Sequence, residues 1–131
     1  MSAIFVTNTN STNVLANGII PINPSRRMGN DIISENGNLI LKRPGYYKVS
    51  GTITFTAQTA GNVTISLQKN NTNVPGITAT ETITTAETEV RTIPIQGLVR
   101  VLCHEGTPII TLINESDIDI TTLNVSLTII Y

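Results

Sequence analysis

Cys103 and His104 are the only cysteine and the only histidine in this 131-residue chain, so a thiol–imidazole nucleophilic pair would have to be built from them. A thiol is activated by a base whose ring converges on it. As neighbours in a strand, the two side chains point to opposite faces, and a Cys–His pair is geometrically poor. Cys103 therefore reads as a small core hydrophobe and His104 as a rim residue. Without a second histidine or cysteine, zinc and other N/S-ligated metals lack ligands. The carboxylates come next. Glu115 lies beside Asp117 and Asp119 in one loop, where all three can offer oxygens to a single hard cation, although calcium takes about six to eight such ligands. A solvated acidic loop is the simpler reading of this weak trio. Glu81, Glu87 and Glu89 form no interpretable pattern. No glycine-rich loop follows a strand and opens a helix, so phosphate-cradle motifs are absent. The sequence thus names no catalytic residue and calls for no cofactor.

Composition narrows the partners. Charged residues make up 13% of the chain and the net charge is -1, which leaves no electrostatic footprint for nucleic acid or an anionic membrane. Lys42, Lys48 and Lys69 are scattered, and the one basic pair, Arg26-Arg27, reads as a solvated loop. No apolar run approaches the ~20 residues of a membrane-spanning helix. The opening residues lack a basic and then an apolar region, so no cleaved signal is expected. A lone cysteine rules out an internal disulfide framework. The Asn-X-Ser/Thr triplets at Asn10, Asn62, Asn70, Asn114 and Asn124 carry no weight in a chain this rich in Asn, Thr and Ser.

The elements that must position these residues are strands. From Tyr46 to Ala57 the chain alternates, with Tyr47, Val49, Gly51, Ile53, Phe55 and Ala57 on one face. Lys48, Ser50, Thr52, Thr54 and Thr56 occupy the other. Period two gives one core face and one face elsewhere. A hydroxyl face nearly free of charge suits burial against a like neighbour. No window of helical periodicity is present, so the chain reads as all-β and as one domain over 1–131. Further strands are expected at about Ser2–Thr7, Ile32-Ile33, Leu39–Leu41, Val63–Gln68, Val90–Ile95, Leu98–Cys103, Ile109–Asn114 and Leu123–Tyr131. The last puts Leu123, Val125, Leu127, Ile129 and Tyr131 on one face. Asn17-Gly18 reads as the type I′ turn of a tight hairpin, and Asn36-Gly37, Asn70–Gly76 and Gln96-Gly97 as further turns. Pro21–Asn30 is irregular and unsuited to a central strand. The stretch 78–88 reads as a rim strand or a loop. Eight or more short strands at this spacing imply a sandwich or barrel.

Three segments together resemble the jelly-roll domains of the tumour necrosis factor and complement-globular-head superfamily. The likeness is strongest to short bacterial and phage types, such as the heads of spore-surface collagen-like glycoproteins. The segments are Pro44–Val49, then Leu67–Asn71 through Val74-Pro75-Gly76, and Val101–Ile109 with Leu112–Asn114 and Ser126–Ile130. They span roughly 33 to 131. The chain departs from the pattern at Thr107, where many relatives carry Asp, in its few aromatic residues, and in lacking a collagen-like stem. The resemblance implies about ten strands in a jelly-roll β-sandwich that forms a homotrimer. Tyr46, Thr52, Thr54, Thr128 and Ile130 are the candidate trimer-interface residues. Residues 1–13 are a candidate anchoring arm. The expected role is a non-enzymatic structural protein of a phage virion: a capsid decoration, head-fibre or fibre-head protein on an underlying lattice. The alternatives are a receptor- or glycan-binding tip, with loops 58–62, 70–76 and 114–121 at one end meeting a host-surface glycan, or a bacterial spore or cell-surface protein.

Overall fold

The alternation from Tyr46 to Ala57 becomes a 13-residue strand whose Tyr47, Val49, Ile53, Phe55 and Ala57 are fully buried. This computed structural model describes residues 2–35 and 38–131. Its strands are β1 (Ala3–Asn8), β2 (Thr12–Val14), β3 (Asn23–Met28), β4 (Ile32–Glu35), β5 (Asn38–Leu41), β6 (Gly45–Ala57), β7 (Gly61–Lys69), β8 (Thr72–Ile83), β9 (Arg91–Val101), β10 (Ile109–Asn114) and β11 (Ile120–Ile130). Sheet I has the order β3-β1-β11-β6-β9, with β2 also paired to β11, and sheet II the order β4-β5-β10-β7-β8. The pairings within both sheets are antiparallel. Their inner faces meet over one aliphatic core with Tyr47 and Phe55 its largest rings. The all-β jelly-roll expectation holds, with eleven strands among the described residues in place of about ten.

Several local expectations need correction, each for a physical reason. The anchoring arm over 1–13 is one. Residues 3–8 are β1, a strand paired on both sides, with Ile4 and Val6 in the core. Freeing it would expose that apolar surface. Asn17-Gly18 is not a hairpin turn. Only Asn17 has positive φ, 61°, and the Gly18 amide donates to Leu15 O at 2.9 Å, the pattern of a type II turn. It carries the chain from sheet I to sheet II, where Ile19 bridges Ile113. The tight I′ hairpin sits instead at Asn70-Asn71, both at positive φ, so that 72–76 already belong to β8. β8 continues to Ile83 as the edge of sheet II.

Gln96-Gly97 does not separate two strands; both lie inside the continuous β9. A Cβ on Gly97 would lie 2.5 Å from Ile77 Cγ1, so this glycine is a notch that lets β8 pack over β9. Pro94 fits because β9 is an edge strand. β3, containing Pro24, is the opposite edge, consistent with a segment unsuited to a sheet centre. In β11 the register slips between Thr122 and Asn124. This bulge turns Thr122 into the core and leaves Leu123 half-buried, so Leu123 leaves the face of Val125, Leu127 and Ile129. The Asn36-Gly37 turn lies outside the described residues.

Candidate assembly surface

Register defines what sheet I presents away from the core. One rung crosses all five strands: Met28, Ala3, Ile130, Lys48 and Leu98. Met28 is 60% exposed, Leu98 59% and Ile130 37%, and Tyr46, one step along β6, is 60% exposed. The Arg100 guanidinium lies 5.9 Å above the Tyr46 ring. The next rung reads Arg26, Phe5, Thr128, Ser50 and Gln96. Beyond it the face is hydroxylic: Thr52 meets Ser126 at 3.3 Å and Thr54 meets Thr92 at 3.0 Å. The surface is therefore graded, apolar with Lys48, Arg26 and Arg100 interspersed where β6 begins, and hydroxylic where it finishes. Tyr46, Thr52, Thr54, Thr128 and Ile130 all lie on it. The sequence reading missed Leu98, Met28 and Phe5, which complete the apolar part. Leu98 becomes legible once β9 is read as one strand with period two. Met28 gives no signal, hidden behind a proline and two arginines.

The acidic trio does not converge. Glu115 reaches back along sheet II to accept from the Ser66 hydroxyl and from Asn73 Nδ2 at 2.8 Å. These bonds, Ser66 first, hold its carboxyl below the usual range. Asp119 instead accepts from the Ala16 amide at 2.8 Å, while Asp117 is exposed. No cluster of three metal-ligating side chains occurs among the described residues. Cys103 also needs correction, since it is exposed and not a core residue. The chain leaves β9 at Val101 and turns through a 3-10 segment, Cys103–Glu105. At ~3 residues per turn, adjacent side chains there still diverge. Glu105 anchors that turn, bonding the Leu102 amide at 2.7 Å and Lys69 at 2.8 Å, which lowers its carboxyl's pKa, the lysine contributing most.

Nor do the three expected recognition loops share an end. Loop 58–62 lies beside loop 114–121, through Gln58 N donating to Asp119 O at 2.9 Å. Asn70-Asn71 closes the far end of β7, about 25 Å away at the ~3.3 Å rise of a strand, where the Asn70 amide donates to Ile109 O. Asn114 does more than its triplet suggested. Fully buried, it donates to Ile118 O at 2.8 Å and Leu15 O at 3.2 Å and accepts from Ser116. It thereby ties the 15–18 turn to the 114–118 loop.

No protein-family model and no curated protein matches the chain. Solved structures do. Eiger TNF from S. frugiperda superposes with a TM-score of 0.65 at 12% identity, covering 100% of this chain and 92% of that one. Murine APRIL gives 0.62 at 12% identity, covering 97% of each chain. PRD1 vertex protein P5 gives 0.55 at 14% identity, covering 97% of this chain and 72% of that one. Identities this low speak for architecture alone. Taken with the order of strands in both sheets, they establish that the chain folds as a tumour necrosis factor-like jelly roll.

Proposed function

We propose that the chain is a non-enzymatic structural protein of a phage virion, a homotrimeric decoration, head-fibre or fibre-head protein seated on a capsid or other virion lattice. The observation that carries the trimer is the apolar rung on sheet I. Tyr46 and Leu98 on one side of the sheet, and Met28 and Ile130 on the other, are large and exposed in the single chain, with Lys48 between them. Fully burying such a side chain stabilises by about 1.5–3 kcal/mol, and adjoining copies around a three-fold axis bury all of them at once. Thr52, Thr54 and Thr128 extend the same contact with hydroxyls able to bond across it. The likeness to a vertex protein supports the virion as the place of assembly. The glycan-binding alternative is weakened because loop 58–62 and the Asn70-Asn71 turn lie at opposite ends of β7 and the loops contain no aromatic ring. Sedimentation equilibrium at micromolar concentration tests the trimer. A mass three times that of the 14.1 kDa chain is expected, and a monomer would overturn it. Labelling of intact particles with an antibody to the chain tests the location.

A further inference from the structure

The net charge of -1 conceals a polarity along the strands. At the end where β6 begins lie Lys42, Arg43, Lys48, Lys69 and Arg100, joined by Arg26 and Arg27 of β3. Asp31, Glu35 and Glu105 oppose these seven cations, leaving a net of +4. At the end where β6 finishes, Glu81, Glu87, Glu89, Asp117 and Asp119 face Arg91 alone, a net of -4. Glu115 lies between, which accounts for the whole-chain value.

We infer that copies stack head to tail, the basic end of one against the acidic end of the next. The outermost charges are available for this. Arg43 has 62% of its side chain exposed and reaches Asp31 only at 3.9 Å, and that carboxylate already accepts from the Ser2 hydroxyl at 2.6 Å. Lys42 beside it is exposed. At the other tip Glu87 and Asp117 are exposed, and neither side chain has a hydrogen bond or ion pair among the described residues. Positive φ at Glu87, 68°, marks a tight turn that holds its carboxylate at the rim. An acidic partner would explain the basic end and leave the acidic one idle. A second copy complements both.

Such a contact joins unlike surfaces without closing, so it builds a linear stack. Its repeat is about 40 Å, the length of a 13-residue strand at ~3.3 Å per residue. The inference does not depend on the trimer, because the residues that would meet, Lys42 and Arg43 against Glu87 and Asp117, lie at the tips, whereas Arg26, Lys48 and Arg100 belong to the sheet I face. The two contacts also answer differently to salt. Exposed charge pairs are screened over ~10 Å at 0.1 M salt, whereas apolar burial is not weakened in this way.

Light scattering across ionic strength tests the stack. At least a doubling of weight-average mass is expected between about 500 mM and 20 mM salt, over the range where screening relaxes. The doubly substituted Glu87→Lys/Asp117→Lys and Lys42→Glu/Arg43→Glu proteins should each stay at the high-salt mass. Mixed in equal amounts they should grow again. Wild-type mass independent of salt, single variants that still grow, or a mixture that does not, would each overturn the stack. Failure of the trimer shows separately, as a high-salt mass of one chain.

Discussion

The outward faces of the two sheets use the same small polar side chains for opposite ends. On sheet II every rung between β7 and β8 is tied. Asn62 bonds Thr82 at 2.8 Å, Thr64 meets Thr80 at 2.9 Å, Ser66 meets Thr78 at 3.1 Å and Gln68 bonds Asn73 at 2.9 Å. Of the isoleucines on that face, Ile33, Ile40 and Ile113 are half-buried, while Ile109 at 39% and Ile19 at 56% remain exposed. On sheet I, Ser50, Gln96 and Thr128 have no side-chain hydrogen bond among the described residues and lie directly beside the exposed apolar rung. A hydroxyl-rich face is therefore not in itself a mark of assembly. Open hydrogen-bonding capacity next to large exposed apolar groups distinguishes sheet I.

The largest effect that can break this comparison comes from charge. Leu98→Asp should leave only monomers at micromolar concentration in the ultracentrifuge, since central interface residues cost ~2 kcal/mol or more when lost. Ile109→Asp, the matching insult to sheet II, should leave the mass unchanged; the reverse result would exchange the roles of the two faces. Asn114→Ala should lower stability by about 2 kcal/mol in urea unfolding, because it strands buried carbonyls, and should leave the mass unchanged. Smaller still, Ser66→Ala should cost about 1 kcal/mol by cutting a tied rung, whereas Ser50→Ala should stay within about 0.5 kcal/mol in folding stability.

Acid sharpens the contrast further, because among the described residues the outward face of sheet I carries no carboxylate. Glu89 does carry one at the acidic tip. Its bond from Thr84 Oγ1 at 2.6 Å, then the ion pair with Arg91 at 2.8 Å, hold its pKa down at about 2. A pKa depressed by folding means stabilisation that is complete above the ordinary carboxylate range and lost as pH falls toward about 2. Hydrogen exchange at Thr84 and Thr85 should accelerate over that window. Protonation of Glu115 should loosen sheet II in the same direction, while the trimer's mass, read at about 500 mM salt where charge pairing between tips is screened, should be the same at pH 3 as at pH 7.

What was legible in the sequence follows from how local the cause is. β6 could be read residue by residue because alternation is a property of the strand itself. The shared face of Thr52, Thr54 and Thr128 followed from the same rule. Gly97 could not be read, since a glycine that makes room for Ile77 and a glycine that makes a turn look alike without the other sheet. The bulge at Leu123 is set by pairing with β6, so a strict period of two carried that leucine onto the wrong face. Cys103 was misplaced because β9 finishes two residues before it. Asn17-Gly18 has the composition of a hairpin, but Ile19 finds its partner, Ile113, in the opposite sheet.

One feature of sheet I reaches into how the chain is made. β11, the final strand in sequence, is also the middle one, flanked by β1 on one side and β6 on the other. A ribosome delivers this segment after everything it must join. Until β11 has been made and has left the ribosome, β1 and β6 have no shared neighbour, and both wait with open hydrogen-bonding edges. Such long-range closure is intrinsically slow. Half of the sandwich therefore cannot close before its last-made strand has emerged.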